Sequence, residues 1–184
     1  MARTLIVYWS GYGHTRRIVE RLRDRLSERG DEVVTAAIDA DEIDLSVHDR
    51  IVIGASIRNG KHKPVVHAFI QQHLELLNAR PSAFFSVNLV ARKPHKNTPE
   101  TNPYMKAFVE KSPWRPDLLG VFAGNLDYRR YSFSDRSIIR FIMWLTKGPT
   151  AADTRIEYTD WDAVDRFAAQ IAELGRPPSA DAAG

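Results

Sequence analysis

The feature that most constrains this chain is a strand that runs straight into a small turn and then a helix. An apolar run over residues 5–9 leads into Ser10-Gly11-Tyr12-Gly13-His14-Thr15, and beyond it Ile18, Val19, Leu22 and Leu26 recur at helical spacing. Where a strand turns directly into a helix, the unpaired N–H groups of the first turn and the helix dipole converge on one point, which suits an anion. The same letters also serve a plain strand-to-helix turn, because Gly and Ser punctuate loops in any fold. Two well-known phosphate loops are excluded. A Walker loop needs Lys and then Ser or Thr after its last Gly, whereas His14 and Thr15 follow Gly13. The dinucleotide fingerprint needs a third Gly, or Ala, where Arg16 stands. What is left is a hydroxyl at each end, Ser10 and Thr15, around backbone amides, an arrangement suited to a terminal monophosphate held by neutral donors.

The rest of the chain repeats the alternation. A helix is expected over 15–28, ended by Gly30, then a strand over 32–38 and a second over 50–55, where Ile51-Val52-Ile53 is too short for a helix and lacks the alternation of a half-exposed strand. A helix over 65–77 would bury Val66, Phe69, Ile70, Leu74 and Leu77; strands follow at 82–87 and 118–123. The last helix begins at Thr159, with Thr159 and Asp162 as a capping-box-like pair, and buries Trp161, Val164, Phe167, Ala168, Ile171 and Leu174. Strands and helices in alternation predict an α/β domain over 1–175, a three-layer sandwich whose five-stranded parallel sheet is covered on both faces. A tail from Arg176, rich in Pro, Ala and Ser, is expected to be disordered.

In such sheets ligands bind at the carboxyl ends of the strands. Three loops lie there: the one after strand one, the small-residue loop 54–60 with Arg58 able to meet an anion or a ring face, and SVNLVARKP from Ser86 to Pro94 with a long polar stretch to Asn102. The 184 residues include no cysteine, which removes disulfides, thiolate nucleophiles and cysteine-ligated metals, so redox work would fall to an organic cofactor. His62, His67, His73 and His95 are scattered without the i, i+4 spacing of a helical metal pair, and no metal site is expected. His14, beside the phosphate loop, either serves that site or points into solvent. No signal peptide is evident, and the longest apolar stretch, 138–145, is short and contains Arg140. A cytoplasmic protein is expected.

Several phrases carry a family resemblance. The first loop, Ser10 to Thr15, resembles the FMN phosphate loop of flavodoxin-like proteins, with Tyr12 where many flavodoxins have Thr. IGASIR from Ile53, PSAFFSVNLVARKP from Pro81, TPETNPY from Thr98 and YTDW from Tyr158 resemble the menaquinone-dependent protoporphyrinogen IX dehydrogenases, in the same order and over nearly all the chain up to Arg176. The resemblance implies a flavodoxin-like fold and an FMN enzyme of haem biosynthesis. Its reaction would oxidise protoporphyrinogen IX to protoporphyrin IX in two-electron rounds and pass the electrons to a membrane quinone, menaquinone or ubiquinone. By position, Ser10, Gly11, Tyr12, Gly13, His14 and Thr15 would hold the FMN phosphate. Ala55, Ser56, Ile57, Arg58, Asn59 and Gly60, with Ser86, Val87, Asn88, Leu89, Val90, Ala91 and Arg92, would flank the flavin ring. No catalytic proton acceptor is identifiable.

A plain flavodoxin does not explain residues 125–150, an insertion around strand five. Arg129, Arg130, Arg136, Arg140 and Lys147 against Asp127 and Asp135 leave +3 there, equal to the net charge of the whole chain. Tyr128, Tyr131, Phe133, Phe141 and Trp144 interleave with these bases. Arg129, Arg130, Arg136, Arg140 and Trp144 would contact an anionic membrane surface or the porphyrin's propionates, placing the protein on the inner face of the cell membrane. The alternative is that Ile138, Ile139, Ile142 and Leu145 close the core. No nucleic-acid module is recognisable. A flavodoxin-type carrier, usually acidic where this chain has a pI near 9.3, and an NAD(P)H:quinone reductase on the same fold are the competing functions.

Overall fold

The computed structural model describes residues 1–175, so the tail expected to be disordered lies outside the described residues. Five parallel strands form the central sheet: β1 (Arg3–Trp9), β2 (Glu32–Ala37), β3 (Arg50–Arg58), β5 (Ser82–Val87) and β6 (Leu118–Phe122), in the spatial order β2-β1-β3-β5-β6. A short strand β4 (Lys61–His62) folds back antiparallel on the end of β3, pairing Ile57 with His62. The parallel sheet is therefore the five-stranded one expected, and β4 is an addition to it.

Both faces of the sheet are dry. Alternate residues of β1 show why: Leu5 and Val7 join one cluster with Val66, Phe69, Ile70, Met105 and Phe108, while Ile6 joins the other with Ile18, Leu22, Val164, Phe167 and Ile171. The first cluster is covered by helices α2 (Pro64–Gln72), α3 (Leu74–Ala79) and α4 (Pro103–Lys111), the second by α1 (His14–Ser27) and α6 (Trp161–Glu173). Gly54 stands opposite Phe85 of the neighbouring strand β5: a Cβ there would stand 2.1 Å from the Phe85 ring, so only glycine lets that ring lie across β3.

Several elements depart from the sequence reading. The strand expected to stop at Ala55 runs to Arg58, because the β4 hairpin pairs with its end. The single helix expected over 65–77 is broken at His73, whose backbone leaves helical geometry, and Leu74 beyond the break is only partly buried. Helix α4 was not anticipated; Asn102 caps it, accepting from the N–H groups of Tyr104 and Met105, and Pro103 opens it. The last helix starts two residues late. Its cap is Asp160, which accepts from the Ala163 N–H, so the Thr159–Asp162 pair does not form, and Trp161 and Leu174 are only partly buried.

The insertion is a separate small unit at the carboxyl edge of the sheet. Strands β7 (Asn125–Asp127) and β8 (Arg155–Glu157) pair antiparallel, and helix α5 (Phe133–Leu145) lies between them in the chain. Its own core is Leu126, Tyr128, Tyr131 and Met143, so two of the aromatic residues expected to form an outer surface are buried, each hydroxyl donating to a carbonyl. The reading in which Ile138, Ile139, Ile142 and Leu145 close the core holds only for Ile139, which packs against this small cluster; the other three are exposed. Of the thirteen residues in α5 only Asp135 and Met143 are buried, and Leu145 is 60% exposed.

Candidate functional site

Strand β1 leads to a helix on one face of the sheet and β3 to a helix on the other, so the chain leaves the sheet in opposite directions at two adjacent strands. A cleft opens there, as expected at a switch point of the winding order. Its floor is the loop after β1, the end of β3 with the turn at Asn59 and Gly60, and the loop after β5; its roof is α5, through Asp135, Ile138, Ile139, Ile142 and Met143.

The loop after β1 is built around Gly13. This residue has φ +85°, its N–H donates to the Ser10 hydroxyl at 3.0 Å, and it stands immediately before α1. Helix α1 has no side-chain cap and no acidic residue in its first turn, so the N–H groups there await an acceptor from outside the helix. The Gly11 N–H reaches the Ser56 hydroxyl at 3.5 Å, which ties this loop to β3.

His14 turns inward, only 6% exposed, rather than into solvent. Its Nε2 lies 2.6 Å from the Thr159 hydroxyl, which itself donates to the Ala123 carbonyl at 2.9 Å. One hydroxyl hydrogen cannot serve both bonds, so satisfying both places the ring hydrogen on Nε2 and leaves Nδ1 as an enclosed lone pair without a donor. Burial pushes the His14 pKa down, Glu157 pulls it up, and Arg17 and Arg130 add to the lowering.

A polar clasp joins floor to roof. The Tyr12 hydroxyl donates to Asp135 in a very short contact, Arg58 Nη2 donates to the same carboxylate oxygen at 2.7 Å, and the Arg58 guanidinium lies over the Tyr12 ring at 5.5 Å. These donors, the Tyr12 hydroxyl first, hold the Asp135 carboxyl below the usual range against its burial. The loop after β5 is fixed from below. Asn88 Oδ1 accepts from the Ala91 N–H at 3.1 Å and from Asn102 Nδ2 at 3.0 Å; Asn88 Nδ2 donates to Ser86 Oγ, which also meets His62 Nε2 at 3.0 Å.

Of the residues singled out from sequence, Ser10, Gly11, Tyr12, His14, Thr15, Ser56, Ile57, Arg58, Asn59, Gly60, Val87, Asn88, Leu89, Val90 and Arg92 line one cleft. Gly13 shapes the loop without lining it. Ala55, Ser86 and Ala91 are buried beneath the wall, where Ser86 serves the hydrogen-bond network and Ala55 packs in the core. Arg129, Arg136, Arg140 and Trp144 do not line it, and Arg130 meets the loop after β1 instead, donating to the Tyr12 carbonyl at 3.4 Å. Trp9, Lys93, Lys96, Tyr104 and the roof residues were missed. Trp9 and the two lysines were within reach of the sequence, being the last residue of β1 and the continuation of the loop after β5. The roof depends on how the insertion folds over, which no local pattern records.

An uncapped helix start, a hydroxyl-bearing glycine turn and a cleft with apolar and polar walls fit a planar group carrying a terminal phosphate. Comparison with known proteins agrees. The flavodoxin domain family matches residues 5–153. The chain is 43% identical over 178 residues to the protoporphyrinogen IX dehydrogenase (quinone) of Escherichia coli strain K12, covering 96% of this chain and 98% of that one. It is 44% identical over 174 residues to the protein of the same name from Leishmania major, covering 92% of this chain and 74% of that one. In fold it is similar to oxidised flavodoxin 1 from Bacillus cereus, at a TM-score of 0.53 with 13% identity, over 94% of this chain and 98% of that one.

Proposed function

The chain belongs to the flavodoxin-domain family and, within it, to the quinone-linked protoporphyrinogen IX dehydrogenases, and on that premise we propose that it oxidises protoporphyrinogen IX to protoporphyrin IX with FMN as cofactor and a membrane quinone, menaquinone or ubiquinone, as electron acceptor. The observation that carries this reading is an identity that extends along almost the whole of both chains, insertion included.

FMN, when bound, supplies two-electron hydride acceptance. The chain's own residues supply placement. Ser10, Thr15 and the amides of Tyr12, His14 and Thr15 would hold the phosphate, with Gly11 and Gly13 shaping the loop; Ser56 to Gly60 and Asn88 to Arg92 would flank the ring system. The isoleucines and Met143 of α5 would offer the ring system an apolar wall, and the clasp of Tyr12, Arg58 and Asp135 fixes the roof at its N-terminal end.

The outward side of α5 supports peripheral attachment to an anionic membrane, where a quinone would be met. Phe133, Phe141, Trp144 and Leu145 are exposed there in company with Arg140, and no helix among the described residues is long and apolar enough to cross a bilayer. Purified protein supplied with FMN, incubated anaerobically with protoporphyrinogen IX and a menaquinone or ubiquinone analogue, is expected to yield porphyrin fluorescence. Its absence with the flavin bound overturns the reading.

A further inference from the structure

The cleft carries more positive charge than a flavin uses, and the excess lies at one end. Arg58, Arg92, Lys93 and Lys96 are the cationic side chains on its wall, and Asp135 is the acidic one. Arg58 is matched by Asp135. Arg92 is occupied with the protein itself, donating to the Leu89 carbonyl at 3.0 Å and to the Thr146 hydroxyl, at the C-terminal end of α5, at 2.8 Å. Lys93 and Lys96 are half-buried, and among the described residues neither ammonium meets a carboxylate. A half-buried cation without an anion is costly to hold unless a ligand supplies one.

Geometry makes the pair a unit. The Lys96 N–H donates to the Lys93 carbonyl at 2.9 Å, closing a tight turn that Lys93 precedes and Lys96 ends, and both side chains line the same cleft. The loop that bears them follows β5, two strands from β1 in the sheet, so it stands roughly 10 Å from the phosphate loop. The cofactor phosphate thus has its own site and leaves the lysines unmatched. Across the cleft from this floor is the apolar wall of Ile138, Ile139 and Ile142.

We propose that Lys93 and Lys96 form a carboxylate anchor, and that the ligand received there is a flat dicarboxylate whose apolar body lies against α5. Resting on the function proposed above, that ligand is the porphyrinogen, whose two propionates hang from one edge of the macrocycle. The sequence reading had offered Arg129, Arg136 and Arg140 for this task, and none of them reaches the cleft.

The test measures binding of protoporphyrin IX and of its dimethyl ester to the FMN-loaded protein by porphyrin fluorescence, in the wild type, in Lys93→Gln/Lys96→Gln, and in Lys106→Gln as an exposed control on α4. The wild type and the control should prefer the free acid by on the order of 10- to 100-fold. The double variant should bind acid and ester alike, at the wild type's affinity for the ester, with its FMN affinity unchanged. No acid preference in the wild type, or a preference that survives in the double variant, overturns the proposal. A protein that shows the expected preference but oxidises no porphyrinogen keeps the anchor and refutes the proposed reaction.

Discussion

His62 shows how a single side chain couples the core to the cleft. Its imidazole is buried between Phe84 and Phe108, and burial, with His67 nearby, pushes its pKa down to about 4. The unfolded chain binds a proton at this group below about pH 6.5, whereas the folded protein binds it only near 4. Stability from His62 is therefore complete above pH 6.5 and is lost as pH falls toward 4, by ~3 kcal/mol at the limit. Burial lowers His14, His67 and His73 in the same direction. The urea midpoint of the wild type should fall across this window, and His62→Gln, which can still reach the Ser86 hydroxyl, should flatten the fall; an equally steep profile in the variant would refute the assignment. None of this was legible from the letters, because a histidine's neighbours decide whether it titrates. The loop after β1 was legible down to individual residues, since its chemistry is local: Ser10, Gly13 and the start of α1 lie within a few positions of one another.

At the scale of elements, local signals succeeded where the partner was the chain's own neighbour and failed where it was remote. Strand β5 occupies the expected residues, and α1 begins and ends one residue early. Strand β3 outran its expected end because of a hairpin partner downstream, and Asp160 displaced Thr159 as a cap because the Thr159 hydroxyl is held by His14 and the Ala123 carbonyl. Helix α5 is the element whose sequence was read most nearly correctly in composition and least in placement. Its apolar residues divide between the cleft roof and open solvent, with Phe133 87% and Trp144 67% exposed. If the outer side rests on lipid, Phe141→Ser/Trp144→Ser should lower partition onto vesicles containing anionic phospholipid by roughly tenfold or more. Arg140→Glu should weaken binding to anionic vesicles and leave binding to neutral ones unchanged. Sedimentation with vesicles reads both, and unaltered partition would free this face for another partner. Arg130 is unsuited to the experiment because it touches the loop after β1.

Viewed as a whole, the molecule has two large cores, one on each side of the sheet, and a third small one that belongs to the insertion alone. The first two account for the fold class, which was legible because alternating strands and helices admit few arrangements. The third was not, since Tyr128 and Tyr131 carry no sequence mark that separates a buried tyrosine from an interfacial one. The pairing of Asn125 with Glu157 gives the insertion a single doorway: it leaves and re-enters the framework at two residues that face each other across one antiparallel ladder, with Cα atoms ~5 Å apart. Such a unit is a cassette. Replacing residues 126–156 with a two-residue turn should leave a folded sheet that still takes up FMN, more weakly for want of its roof, and has lost its grip on porphyrin; circular dichroism with flavin and porphyrin titrations would show it, and a chain that no longer folds would mean the cassette is part of the frame. By the same splice, the roof could be moved onto a simple electron carrier of this architecture, but it would travel without Lys93 and Lys96, which stay with the frame, so a transplant of the cassette alone would bring the apolar wall and leave the proposed anchor behind.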